Sequence, residues 1–331
     1  EIYSDSAFFQ MHGFDFGKYA LIADKGEQEQ FDLAAGLQDA TEVACQQIFN
    51  DIFNLVGRKY ENLCLAGGVA LNSVMTGKIP DWMPELKNIY IPPVPYDAGL
   101  AIGTAQYQYH QTLNEPRVDF GDYFTPYLGA RYNKEHIEKA IEERGGMKVE
   151  QASKDDVVKL LTDKKVVSVY GGRSESGRRA LGNRSILADP RFSDMKDIVN
   201  ERVKHRQWFR PFAPSVLAED VADWFDRDLP SPYMSFVSKF KEDKLDKVPA
   251  VVHFDGTART QTVTAEGNPW YHDFISRFKK ATGVPMVLNT SFNDREPIVE
   301  TPADAVNCFL KTNIDYLYFF EHDILVSKSE E

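Results

Sequence analysis

Short apolar runs of strand length, each leaving into glycine, proline or a polar cluster, recur along this chain and constrain its fold more than any other feature. Residues 62–66 run into Gly67-Gly68, 88–91 end at Pro92-Pro93, 166–170 run into Gly171-Gly172, and 286–289 open into Thr290-Ser291-Phe292-Asn293. Between them lie stretches with apolar residues near helical spacing, such as 33–56 with Leu37, Val43, Ile48, Ile52 and Leu55. Strand-sized runs alternating with amphipathic helices predict an α/β fold. Further helices are expected over 97–111, 134–144, 154–162, 195–203, 270–282 and 302–311, and further strands over 248–254, 316–320 and 324–327.

A stretch at 115–126, with two prolines and a Gly-Asp pair, reads as a linker between two blocks. Two domains suit 331 residues at roughly 150 residues each. No apolar run approaches the ~18 residues of a membrane helix, and no charged leader precedes an apolar core. A soluble cytoplasmic protein with no membrane partner is therefore expected. The chain opens on Glu1 without an initiator methionine, which suggests a processed product or part of a longer protein. Its three cysteines, Cys45, Cys64 and Cys308, form no CxxC pair and indicate neither a disulfide framework nor a zinc site. With 50 acidic against 38 basic residues the net charge is −12, which opposes binding to long polyanions such as DNA or tRNA. A local basic pocket for one small anion remains open.

The chemistry concentrates in the second block. Residues 171–185 carry four arginines (Arg173, Arg178, Arg179, Arg184) and four glycines behind an apolar run. Arginine forks hold phosphate oxygens bidentately, and glycines let a backbone fold tightly around an anion. Residues 204–214 add Lys204, Arg206 and Arg210 among aromatics and two prolines, which restrict the segment and pre-position its cations. A solvated basic face would carry lysine and glutamate instead. Arg259 follows in a largely polar stretch, and Asn289, Ser291 and Asn293 leave the 286–289 run as ready hydrogen-bond partners. In the first block, Gly67-Gly68-Val69-Ala70-Leu71-Asn72 suits either a ligand-approaching turn or a plain tight turn. Asp97 suits either a metal- or phosphate-linked carboxylate or a helix cap. No Walker A, HExxH or Ser/His/Asp signature is present, so the site would work by positioning and charge neutralisation.

These segments, in this order, resemble the C-terminal part of the NodU/CmcH-type O-carbamoyltransferases. The resemblance covers essentially the whole chain. It implies the second lobe of an ASKHA-type, Kae1-like domain over 1–118, followed by a YrdC-like twisted-sheet α/β domain over 119–331. It also implies an enzyme that makes carbamoyladenylate from carbamoyl phosphate and ATP, then passes the carbamoyl group to a hydroxyl of a small-molecule acceptor. On this resemblance Arg179, Lys204, Arg210 and Arg259 are the catalytic candidates. Arg173, Arg184, Arg206, Asn289, Ser291 and Asn293 would contact the nucleotide or carbamoyl phosphate, with Gly67, Gly68 and Asn72 matching a nucleotide-contacting turn. Asp97 would ligate a divalent metal, iron or magnesium, at a site this chain leaves incomplete. The family's HxxxH pair has no counterpart, since no two of the seven histidines stand four apart, so the other half of the Kae1-like domain is a possible partner. Alternatives are a tRNA threonylcarbamoyladenosine-pathway enzyme and a nucleotide-binding module without turnover.

Overall fold

The computed structural model describes residues 26–117 and 125–329. The 12 residues of the expected linker fall mostly in 118–124, outside the described residues. Helix α1 (Glu27–Val56) comes first and stops where Gly57 turns left-handed at φ 82°. Strand β1 (Asn62–Cys64), helix α2 (Ser73–Trp82), strand β2 (Asn88–Tyr90) and helix α3 (Leu100–Tyr107) follow, with β1 and β2 forming a two-stranded sheet.

The chain divides into two compact units, one of residues 26–63 with 78–88 and one of 64–77 with 89–329. In the first, α1 buries Phe49 and Phe53 and sets Phe49 against Trp82 at 6.4 Å. Ties between residues 26–63 and the 78–88 segment include a Lys78–Glu42 ion pair, Arg58–Glu85 at 2.7 Å and Lys87–Glu61 at 2.8 Å. Much of the apolar face predicted for this helix is exposed, Leu55 at 87%.

The second unit is built on a nine-stranded sheet. After helix α4 (Lys134–Arg144) come β3 (Met147–Gln151), helix α5 (Lys154–Thr162), β4 (Val167–Tyr170) and β5 (Arg184–Ala188). Helix α6 (Met195–Ile198), β6 (Ala213–Leu217), helix α7 (Val221–Trp224), β7 (Phe236–Lys239) and β8 (Thr257–Val263) continue the chain. Helix α8 (Pro269–Thr282), β9 (Met286–Ser291), helix α9 (Pro302–Lys311), β10 (Tyr316–Phe319) and β11 (Ile324–Lys328) complete it. The strand order is β3-β11-β10-β4-β5-β9-β6-β8-β7, parallel only at β10–β4 and β6–β8. Every residue of β4, β5 and β6 is buried, as expected of central strands covered on both faces. Helix α8 packs on β9 and β6, and α9 on β10 and β4. The predicted α/β class is the one observed.

One predicted strand is corrected. Residues 248–254 form a 3-10 turn at Pro249–Val251, and the strand begins only at Thr257. Pro249 has no N–H for a ladder, and the chain reverses at Gly256, where φ is 78° and the Gly256 N–H donates to the His253 carbonyl. Among the described residues no helix is long and apolar enough to cross a membrane.

At the turn into β5, Gly182 holds φ 115°, and a Cβ there would stand 2.5 Å from the ring of fully buried Tyr271. Gly182→Ala should therefore cost about 2–4 kcal/mol through backbone strain and overpacking. Urea unfolding monitored by circular dichroism checks this: the midpoint should fall with the slope unchanged.

Candidate active site: an arginine-lined cavity

The loop between β4 and β5 is shaped by two buried charges. Arg184, fully buried, donates from Nη1 to the carbonyls of Gly171 (2.7 Å) and Asn183 (2.9 Å) and from Nη2 to that of Gly172 (3.3 Å). Its guanidinium lies 3.7 Å from the centre of the Tyr170 ring. Glu175 works the opposite way: its Oε1 accepts from the N–H groups of Leu181 (2.7 Å) and Asn183 (2.9 Å). Burial raises the Glu175 carboxyl above its ordinary range, opposed by those N–H donors. Between the two anchors, Arg178 and Arg179 are turned onto a cavity.

A second loop, after α6, brings Arg206 and Arg210 to the same cavity. Asn200 Nδ2 holds the carbonyls of Trp208 (3.3 Å) and Arg210 (3.0 Å), while its Oδ1 accepts from Arg206 Nε at 2.7 Å. Lys204 is buried beside them, and its ammonium donates to the Ser291 and Asn293 carbonyls, both at 2.7 Å, and to Asn293 Oδ1 at 2.6 Å. Burial, then the charge of Arg206, pushes Lys204 down to about 7, against that cage of oxygens. The sheet supplies the floor. Arg259 comes from β8, and Asn289 and Ser291 from β9, where Asn289 pairs in register with Ala213 of β6.

The resulting cavity has a volume of about 290 Å³ and five guanidiniums on its wall. None of the five forms an ion pair with a carboxylate among the described residues. Burial and the charges of Arg179, Arg206 and Arg210 pull Arg259 down to about 9, and its buried Nε has no partner. Burial and Arg210 bring Arg206 to about 10, and burial and Arg178 lower Arg179. Crowded, unpaired and partly desolvated cations of this kind suit a multiply charged anion. The Asn289 amide adds a polarity mark. Its Nδ2 donates to the Ala180 carbonyl and to Gln261 Oε1, which fixes the flip and leaves Oδ1 buried without a donor.

The sequence candidates thus separate. Arg179, Arg206, Arg210, Arg259, Asn289 and Ser291 meet on the cavity, with Lys204 and Asn293 locked behind Ser291. Arg184 and Arg173 are not brought to this cavity: Arg184 spends its guanidinium on backbone carbonyls inside the core, and Arg173 donates to the Gly129 carbonyl at 2.8 Å. Arg178 is the wall residue that the sequence candidates omitted; its guanidinium also sits 4.4 Å from the centre of the Tyr96 ring. The arginine pair at 178–179 was its signal.

Gly67 and Asp97 line a different cavity, of about 410 Å³, whose wall includes the Tyr96 that Arg178 covers. The Gly67 N–H donates to the Pro95 carbonyl, and Asn72 Oδ1 accepts from the Met75 N–H at the start of α2. Gly68 opens the 3-10 turn between them and does not line that cavity. Asp97, exposed, is the only carboxylate on the wall. Among the described residues no group of three His, Cys, Asp or Glu side chains could hold a metal ion, so the residues present do not amount to a metal site.

With this geometry in view, comparison with known proteins is direct. The carbamoyltransferase C-terminus profile matches residues 158–328, and the carbamoyltransferase N-terminus profile matches 5–106. The chain belongs to the carbamoyltransferase family. It is 41% identical to nodulation protein NolNO of Sinorhizobium fredii, covering 88% of this chain and 43% of that protein. To nodulation protein NolO of Bradyrhizobium diazoefficiens it is 40% identical, covering 88% and 54%. An uncharacterised Synechocystis protein is 42% identical over 88% of this chain and 51% of its own length. The chain spans about half the length of these curated relatives. Among solved structures, full-length HypF in its phosphate- and nucleotide-bound form is similar over 55% of this chain and 22% of its own, at TM-score 0.36 and 15% identity, too distant to argue from.

A cation whose folded pKa is lowered weakens the fold while charged, so with Lys204 at about 7 the ligand-free protein should gain stability as pH climbs through that value. Inorganic phosphate should raise Tm near neutrality, by the equivalent of ~2.7 kcal/mol at a hundred times its Kd. Arg259→Met should leave the ligand-free protein as stable or more so, while losing most of the phosphate response in thermal scans.

Proposed function

We propose that this protein is an ATP-dependent O-carbamoyltransferase, and that the arginine cavity is where carbamoyl phosphate and the phosphates of ATP meet. The observation that carries the reading is the set of five guanidiniums without carboxylate partners among the described residues, converging on about 290 Å³. Carbamoyl phosphate presents phosphate oxygens for the forks.

In this scheme carbamoyl phosphate gives up its phosphate to water, and an oxygen of the resulting carbamate attacks the α-phosphorus of ATP. Pyrophosphate leaves and carbamoyladenylate remains. Arg179, Arg206, Arg210 and Arg259 would neutralise charge on the phosphates, and Lys204 would hold Ser291 and Asn293 in place. A hydroxyl of a small-molecule acceptor would then attack the carbamoyl carbon and release AMP. Residues 1–118 would contribute to that transfer half, and 119–331 to activation. No step is routed through a metal.

Pyrophosphate release should require ATP and carbamoyl phosphate together. Arg179→Ala should lower kcat/KM for carbamoyl phosphate by roughly 10²–10³. Tight ATP binding with no pyrophosphate under any combination would instead identify a nucleotide-binding module.

A further inference from the structure

The arginine cavity, at about 290 Å³, lies at the small end of pockets that enclose a whole ligand. The acyl phosphate and the triphosphate chain occupy such a volume between them, so the base of the nucleotide must rest outside the rim. Trp208 is placed to meet it. It stands two residues from Arg206 and two from Arg210, both on the cavity wall, which puts its Cα within roughly 7 Å of each. The backbone there is fixed, because Asn200 binds the carbonyls of Trp208 and Arg210 and the side chain of Arg206. Yet the indole is 60% exposed, with the edge of the Phe209 ring near it at 5.9 Å and 86°.

An anchored segment that holds its largest apolar side chain in water, between two arginines of the cavity wall, has the composition of a stacking platform. Every nucleobase has a π-face that an indole can cover whatever the hydrogen-bonding edge. We propose that Trp208 stacks on the nucleobase of the nucleotide whose phosphates the cavity arginines hold. The inference rests on the nucleotide reading above and adds the base-binding side chain.

Calorimetric titration of ATP and of inorganic triphosphate into wild-type protein, Trp208→Ala and Trp208→Phe tests it. Wild type should bind ATP more tightly than triphosphate. Trp208→Ala should lose roughly tenfold for ATP and nothing for triphosphate, and Trp208→Phe should recover most of the loss. Equal ATP affinity in wild type and Trp208→Ala overturns the stacking role and leaves the nucleotide reading standing. Parallel losses for both ligands overturn it too, since the effect would then be on the phosphate site. A wild-type protein that binds no ATP overturns both.

Discussion

Two buried charges of opposite sign hold the loop on which the site depends. Arg184 gathers the carbonyls of Gly171, Gly172 and Asn183, and Glu175 gathers the N–H groups of Leu181 and Asn183. Each supplies what the irregular backbone lacks, since a loop leaving a fully buried strand has no ladder to satisfy its polar groups. Repulsion between neighbouring guanidiniums would otherwise open the segment that carries Arg178 and Arg179. The clamp lets a cationic loop sit closed against the centre of the sheet.

The sheet topology explains why this is the place. Strand β9 lies between β5 and β6, and the chain leaves each of these strands, or enters it, at the cavity. Four segments distant in sequence, around 178, 206, 259 and 289, therefore converge without long connections. Lys204 then ties the end of β9 to the 204–210 loop, so the floor and one wall move as a unit.

Much of this was legible from residue order. The apolar runs 166–170, 286–289 and 316–320 are strands close to where the alternation put them, and the cationic segments are the ones that meet. Of the five strands that escaped notice, three have sequences that disguise them. Arg184–Ala188 begins with a charge, Ala213–Leu217 contains Pro214, and Thr257–Val263 is largely polar. In each, tertiary burial overrides local preference. Arginine type alone also could not separate Arg184, spent on carbonyls, from Arg179, facing the cavity, because the difference lies in which backbone groups stand nearby. Glu175 left no signal of its own, for its role is visible only once the loop is folded around it.

The unpaired guanidiniums also bear on how such a chain changes over generations. Replacing any one of them by a neutral side chain relieves repulsion in the empty pocket, so selection for foldedness alone would wear the cluster away. Nothing in the core needs five of them. A lineage would keep that arrangement only while the occupied pocket is what survival tests.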